Sequence, residues 1–171
     1  MCLNIREVVD AIVACGTTGD SSTLTDDEHI EVIRVAVEQT NGRVPVIAGT
    51  GTNNTLHVLD FTKSACDNGA DAVLVVTPYY NKTTQEGLYA HFMHIAENTE
   101  LPIILYNVPS RTGVDIPVSV YRELSAISNI IGTKEASTDI SKIAKIRAVC
   151  PESFALWSGN DDQAAAVISL G

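Results

Sequence analysis

One lysine at the end of an apolar run is the most informative residue of the sequence. Lys134 closes the run IIGTK (130–134), and strict strand alternation would put it on the same face as Ile130 and Gly132. Apolar surroundings lower the pKa of a lysine because burial penalises the ammonium form. The neutral amine that results is a nucleophile for carbonyl carbons and can form a Schiff base. The alternative is a solvated lysine just past a strand end, paired with Glu135.

A tyrosine ends the neighbouring strand of the predicted sheet. Tyr106 closes the apolar run 103–106, and in a parallel sheet its side chain would come next to Lys134. Its hydroxyl could then move a proton to and from the carbinolamine oxygen that precedes a Schiff base. The alternative is an amphipathic tyrosine whose ring lies in the core and whose hydroxyl is satisfied locally.

Other polar residues at predicted strand ends are suited to binding carboxylates. Thr17 and Thr18 lie in a glycine-flanked turn ahead of a helix, where hydroxyls and backbone N–H groups favour a small anion. Arg111 lies in a loop, where its planar guanidinium could hold a carboxylate through two parallel hydrogen bonds. Simple turn chemistry is the alternative for the threonines, and a surface ion pair is the alternative for Arg111. His91 and His94 are three residues apart on a helix, but without a third ligand nearby we expect no metal site.

Six short apolar runs rich in β-branched residues predict the strands that must position these side chains. The runs are 11–15, 44–48, 72–76, 103–106, 130–134 and 154–157. Their starts lie about 24 to 33 residues apart, near the length of one β–helix–β unit. Runs that are apolar throughout are typical of parallel strands covered on both faces. In such sheets, functional residues gather at the carboxyl ends of the strands.

Helix signals fill the intervals between these runs. Thr25 and Glu28 are spaced as a capping box, and Asn41 supplies a stop for the helix that they begin. Further helices are expected from 54 or 55 to 68, from 84 to 98, from Pro117 as first residue to 127, from 139 to 149 and from 161 to 170. This alternation predicts a single α/β domain over residues 1–171. Both an open doubly wound sheet and a (β/α)8 barrel fit, and counting alone favours the open sheet because a full barrel needs eight units.

The composition excludes several classes of protein. The chain has 171 residues, with 11 basic and 21 acidic side chains and a formal net charge of -10, so neither nucleic acid nor an anionic membrane is an expected partner. The longest apolar runs fall far short of the roughly 18 residues needed to span a bilayer. The four cysteines (Cys2, Cys15, Cys66 and Cys150) are far apart, and no secretory signal is evident at the N-terminus. We therefore expect an acidic globular protein of the cytoplasm.

Five motifs make the sequence similar to the dihydrodipicolinate synthase family. They are GTTGD (16–20), TPYYN (77–81), YNVPSRTG (106–113), GTKEAS (132–137) and SGND (158–161), in the order and spacing of that family. The family fold is a (β/α)8 barrel, so the resemblance reverses the preference for an open sheet. The resemblance begins near residue 8, residues 1–7 do not resemble a first β/α unit, and the sequence stops before the eighth strand. An incomplete barrel of about six units, strands 2–7, is therefore implied.

The resemblance also implies a reaction, a class I aldolase-type condensation of pyruvate with L-aspartate 4-semialdehyde. The product would be 4-hydroxy-tetrahydrodipicolinate, in lysine and diaminopimelate biosynthesis. By its place in the motif, Lys134 would form the Schiff base with pyruvate. Tyr106 would be the acid and base, in a proton relay with Thr17 and with Tyr80, which a neighbouring subunit would deliver. No metal or organic cofactor is implied, because the protonated imine is itself the electron sink.

Substrate binding and assembly follow from the same resemblance. Thr18 would bind the carboxylate of pyruvate, Arg111 would bind that of the semialdehyde, and Gly159 would line the pocket. The implied partners are these two substrates and further copies of the chain, as a dimer or tetramer. Two alternatives remain: a non-catalytic truncated remnant or interaction subunit of the family, and a related pyruvate-dependent sugar-acid aldolase or lyase.

Overall fold

Within residues 9–171, six parallel strands form one sheet whose spatial order follows the chain. The structure, a computed structural model, describes residues 9–171, and the predictions for residues 1–7 and Cys2 lie outside the described residues. Each strand pairs in parallel with the next. A doubly wound sheet reverses its strand order at a switch point, and this sheet does not. The architecture is therefore a partial β/α barrel, and the preference for an open sheet from counting is wrong. The strands are β1 (Ile12–Ala14), β2 (Val46–Gly49), β3 (Ala72–Val76), β4 (Ile103–Asn107), β5 (Ile130–Glu135) and β6 (Ala155–Ser158).

Helices follow the strands, and the one side-chain cap that the sequence predicts is present. The Glu28 N–H donates to Thr25 Oγ1 at 3.3 Å and the Thr25 N–H donates to Glu28 Oε2 at 2.9 Å, so the capping box is confirmed. Asn54, Thr84 and Asp139 cap three later helices in a similar way. The helices of residues 9–171 are α1 (Asp26–Thr40), α2 (Thr55–Asp67), α3 (Gln85–Ala96), α4 (Pro109–Thr112), α5 (Val118–Leu124), α6 (Ile140–Val149) and α7 (Ala164–Ser169).

Two predicted helices differ from those observed. Pro117 is the cap that precedes α5, not its first residue, and α5 ends at Leu124 because the chain then closes in a tight turn in which the Ile127 N–H bonds to the Leu124 carbonyl. The expected helix 161–170 is divided into a 3-10 turn, Asp161–Gln163, and α7. The short helix α4 and the 3-10 turns Thr17–Gly19 and Ser21–Thr23 were not predicted.

Each face of the sheet has its own apolar core. Along β3, Val73 and Val75 pack toward the helices, in a large cluster that includes Phe92 and Ile95 of α3. The intervening residues face the other side, where strand residues and residues directly after β4 and β5 form a smaller cluster: Leu74, Val76, Ile104, Tyr106, Val108 and Ala136. We call these the outer core and the inner core. The inner face is the side toward which a β/α barrel closes, so a residue's face decides whether it can reach the barrel interior.

The edges of the described sheet carry exposed apolar side chains. Within residues 9–171, β1 and β6 each have a strand on one side only. Val13 of β1 is 47% exposed and Trp157 of β6 is 44% exposed. No helix in this part of the chain is long and apolar enough to cross a bilayer.

Candidate active site

Lys134 and Tyr106 stand side by side at the carboxyl ends of β5 and β4. They are direct partners in the parallel ladder, and Lys134 Nζ lies 4.5 Å from the centroid of the Tyr106 ring. The Lys134 side chain is half-buried, and this burial lowers the pKa of its amine. The predicted juxtaposition is confirmed. The alternative of a Lys134–Glu135 pair is wrong, because the Glu135 carboxylate is buried among other residues on the helix side of the sheet.

The prediction that Lys134 shares a face with Ile130 is wrong, because β5 contains a bulge. Ile103 pairs with Ile130, but the next residue, Ile104, pairs with Gly132, so Ile131 is an extra residue in β5. Ile130 consequently belongs to the outer core, whereas Ile131 packs on the inner core. Lys134 shares its face with Gly132 and not with Ile130. Strict alternation cannot describe a strand with a bulge, because the extra residue reverses the faces beyond it.

Tyr106 has a buried ring and an unengaged hydroxyl. The residue is only 9% exposed and belongs to the inner core. Among residues 9–171 its hydroxyl makes no hydrogen bond. The alternative, in which a local partner binds the hydroxyl, is therefore not observed. Burial raises the pKa of the Tyr106 phenol, and the positive charge of Arg111 partly opposes that rise. The phenol therefore stays protonated near neutral pH and can donate to an oxygen that develops negative charge.

A cleft of about 840 Å³ opens beside Tyr106 and gathers most of the predicted site. Lys134 and Gly159 are outside its lining, although Lys134 lies against the Tyr106 ring. Gly159 lies against the end of β5, where its N–H donates to the Glu135 carbonyl at 2.7 Å. A Cβ at Gly159 would come within 2.6 Å of the Ala136 Cβ, so this approach requires glycine. The predicted residues that line the cleft are Thr17, Thr18, Tyr80, Tyr106 and Arg111.

The two threonines are carried by a turn that a close backbone approach holds at the end of β1. Thr17 and Thr18 are exposed in the 3-10 turn Thr17–Gly19. The preceding residue, Cys15, has a left-handed backbone with φ of 55°. Its carbonyl passes so near Gly49 of β2 that a Cβ there would lie 2.2 Å from the oxygen. The glycine at the end of β2 thus allows the turn to sit over the cleft.

Tyr80 reaches the cleft from the loop after β3, whereas Arg111 reaches it from the short helix α4 and not from a loop as predicted. The Tyr80 N–H donates to the Thr112 carbonyl at 3.3 Å, which joins the loop after β3 to α4. Tyr80 has a φ of 69° and its side chain is 89% exposed, although it also borders the cleft. The exposed Arg111 side chain forms no ion pair within residues 9–171, so the surface ion pair is not observed.

A polar cluster behind the reactive pair was missed by the sequence analysis. Glu135 is 1% exposed on the outer face, where Asn107 and Tyr121 donate hydrogen bonds to its carboxylate. Lys142 of α6 is bonded to Asp115 and lies 3.9 Å from Glu135. A usable signal was present, since Asn107 and Glu135 each follow a candidate catalytic residue and must point to the opposite face.

The described residues offer no obvious metal site. Within residues 9–171, no three side chains of His, Cys, Asp or Glu come close enough together to hold a metal. His91 is buried and its Nδ1 is hydrogen-bonded to Thr55 Oγ1 at 2.9 Å, whereas His94 is exposed.

The fold and this site together define a class of protein, a partial β/α barrel with a lysine and a tyrosine paired at the carboxyl-end rim. The sequence model of the dihydrodipicolinate synthetase family matches residues 2–171, and the chain belongs to that family. The resemblance given by the five motifs is confirmed.

Known relatives are closely similar over most of this chain but are longer than it. The chain is 52% identical over 169 residues to the 4-hydroxy-tetrahydrodipicolinate synthase of Thermoanaerobacter sp. (strain X514), a match that covers 98% of this chain and 57% of that protein. A solved structure of dihydrodipicolinate synthase from Aquifex aeolicus matches with a TM-score of 0.96 and 45% identity, over 98% of this chain and 58% of the other. The chain thus spans somewhat more than half the length of the relatives that it matches.

One solved relative is a complex with pyruvate. It is the chloride-inhibited dihydrodipicolinate synthase from Acinetobacter baumannii complexed with pyruvate, which matches with a TM-score of 0.95 and 48% identity, over 98% of this chain and 58% of that one. The names of these relatives do not favour the two alternatives, a non-catalytic remnant and a sugar-acid aldolase.

Proposed function

We propose that this chain supplies the Schiff-base centre of a 4-hydroxy-tetrahydrodipicolinate synthase, which condenses pyruvate with L-aspartate 4-semialdehyde. The observation that carries the proposal is the pairing of Lys134 with Tyr106, whose ring centroid lies 4.5 Å from the lysine Nζ. Burial makes the amine easier to deprotonate, which is the state needed to attack a ketone.

The first half-reaction joins pyruvate to the lysine. Lys134 Nζ attacks the ketone carbon of pyruvate, and the carbinolamine loses its oxygen as water to leave a protonated imine. Tyr106 donates a proton to that oxygen and is then reprotonated through Thr17 and Tyr80. Thr18 holds the pyruvate carboxylate with its hydroxyl and the turn amides. Its exposed position on the rim of the cleft supports this role.

The second half-reaction forms the carbon–carbon bond. Tyr106, as the base, takes a methyl proton from the imine to give an enamine. The enamine carbon attacks the aldehyde of the semialdehyde, and the aldehyde oxygen takes a proton from Tyr106 to become the hydroxyl of the product. The amino group of the semialdehyde then displaces Lys134 and closes the ring. Arg111 binds the carboxylate of this second substrate, a role supported by its lack of an ion pair within residues 9–171, and Gly159 lines the pocket. No cofactor takes part, because the imine nitrogen accepts the electron pair throughout.

The complete site is proposed to need a second copy of the chain. Tyr80 has an 89% exposed ring on a left-handed backbone, an arrangement suited to delivering the phenol to a neighbouring subunit in a dimer or tetramer. Residues 1–171 act as one domain that corresponds to strands 2–7 of the family barrel. A cytoplasmic location is proposed as well, and the free thiols of Cys15, Cys66 and Cys150 accord with a reducing compartment.

Turnover tests the proposal. The chain is incubated with pyruvate and L-aspartate 4-semialdehyde, and the cyclic product is followed by mass spectrometry. We expect product from the wild type and from Lys145→Ala, which removes an exposed lysine of α6, and none from Lys134→Ala. A folded wild-type oligomer that makes no product, or a Lys134→Ala variant that does, would contradict it.

A further inference from the structure

A second side-chain pair joins β4 to β5 directly behind Tyr106 and Lys134. Asn107 Nδ2 donates to both carboxylate oxygens of Glu135, at 2.9 and 3.1 Å. Asn107 and Glu135 are direct partners in the ladder, one step beyond Tyr106 and Lys134. Because successive residues of a strand point to opposite faces, the amide–carboxylate pair lies on the outer face and the reactive pair on the inner face.

The outer pair is anchored on every side. Glu135 also accepts from the Tyr121 hydroxyl of α5 at 2.7 Å and from the Ser137 N–H at 2.8 Å. Asn107 Oδ1 accepts from the Ile116 N–H at 3.1 Å, which ties β4 to the segment before α5. Asn107 and Glu135 are both 1% exposed or less. Hydrogen bonds in such a dry environment are strong, and leaving one of these groups unpaired would be costly.

The bulge explains why this end of the ladder needs a fixed register. Without the extra residue in β5, Tyr106 would lie opposite Thr133 instead of Lys134, as the pairing of Ile103 with Ile130 shows when it is continued one residue at a time. Thr133 faces the helices, where its hydroxyl lies 3.4 Å from the Tyr121 hydroxyl of α5. A shift of one residue would therefore separate the lysine from the phenol.

We propose that Asn107 and Glu135 are positioning residues for the imine chemistry proposed above, on which this inference rests, and that their outer-face bonds lock the register that keeps Lys134 against Tyr106. They touch neither substrate nor reacting atoms. They act through the backbone that each shares with a catalytic residue. Tyr121 completes the lock by holding the Glu135 carboxylate from α5.

Two substitutions that leave the net charge unchanged test whether these bonds hold the register. Asn107→Ala removes the cross-strand amide, and Tyr121→Phe is a milder change that removes a single hydroxyl. The matched control is Asn129→Ala at the other end of β5, where the amide bonds to the Ala96 and Thr99 carbonyls. Two quantities are measured for each folded variant. One is the rate at which borohydride traps pyruvate on Lys134, and the other is the pH midpoint for acetylation of Lys134 by acetic anhydride.

We expect trapping by Asn107→Ala to be slower by about tenfold or more, since a misplacement near 1 Å can cost on the order of 100-fold. The acetylation midpoint of Lys134 should move to higher pH, because a displaced amine regains water. Tyr121→Phe should show the same two changes to a smaller extent, and Asn129→Ala should match the wild type in both. If Asn107→Ala does not fold, Tyr121→Phe decides the question.

The acetylation measurement needs no pyruvate, so it tests this inference independently of the proposed function. A wild type that traps no pyruvate would refute the function, and the acetylation midpoints would still report whether the lock holds the amine. Midpoints and trapping rates in Tyr121→Phe that equal those of the wild type would overturn the lock. Equal losses in Asn129→Ala would do so too, because they would show a general loss of stability.

Discussion

The stability of the fold should fall as the pH drops below about 6.5, because the folded chain holds His91 in its neutral form. His91 is 5% exposed, and burial, with a smaller contribution from the charge of His94, lowers the pKa of its imidazole from 6.5 to about 4. The folded state therefore favours the neutral ring, while the unfolded chain takes up a proton as the pH falls through 6.5. The stabilisation is complete above pH 6.5 and is lost between there and pH 4.

The size of this effect follows from the difference in pKa. At the usual free energy per pKa unit, it corresponds to about 3 kcal/mol in total, of which ~2.5 kcal/mol is lost between about pH 7.5 and about pH 4.5. Urea unfolding at these two pH values measures the loss. Carboxylates also titrate in this range, so the test is the difference between the wild type and His91→Asn, which retains a hydrogen-bonding atom for Thr55.

Between the two pH values, we expect His91→Asn to lose ~2.5 kcal/mol less free energy of unfolding than the wild type loses. The control is His94→Asn, which removes an exposed histidine of the same helix and should follow the wild type. Parallel pH profiles for the wild type and His91→Asn would refute the reasoning, since they would mean that His91 is not held neutral by the fold.

Three further substitutions have expected outcomes. Arg111→Leu should raise the KM for the semialdehyde by about 10- to 100-fold, because a charge-assisted bidentate bond is lost, and should leave pyruvate trapping intact; an unchanged KM in steady-state assays would count against this role. Thr25→Ala should lower the free energy of unfolding by about 1 kcal/mol in urea titrations, and no change would mean that the capping box is dispensable. Gly51→Ala should cost about 1 to 3 kcal/mol in thermal unfolding, because a Cβ would lie 2.3 Å from the Val76 nitrogen, whereas Gly19→Ala, with open space at that position, should be near neutral.

Local features of the fold could be predicted because they depend on neighbours in sequence. The Thr25–Glu28 capping box and the start of α2 at Thr55 need only residues within one helical turn, and both are present as predicted. The strand order could not be obtained from such signals, since an alternation of strands and helices is common to barrels and doubly wound sheets. Only the five-motif resemblance separated the two architectures.

The alternation of residues within one strand could not predict which side chains share a face with Lys134. The bulge at Ile131 arises from pairing with β4 and close packing against β6, where a Cβ on Gly132 would lie 2.5 Å from the Ala155 carbonyl oxygen. Nothing in the run 130–134 reveals that neighbour. Alternation after Tyr106 and Lys134 places Asn107 and Glu135 on the outer face, but it does not reveal that Tyr121, from another part of the chain, binds the Glu135 carboxylate there.

The central claim is that a half-buried amine beside a phenol captures a keto acid, and trapping the imine tests it most directly. The chain is treated with pyruvate and borohydride, digested, and its lysine peptides are mapped by mass spectrometry at several pH values. We predict a mass gain of pyruvate less one water plus two hydrogens on Lys134 alone, with a pH midpoint below the ~10.4 of an ordinary lysine. An adduct spread over exposed lysines such as Lys145, or a Lys134 peptide that stays unmodified, would contradict the account.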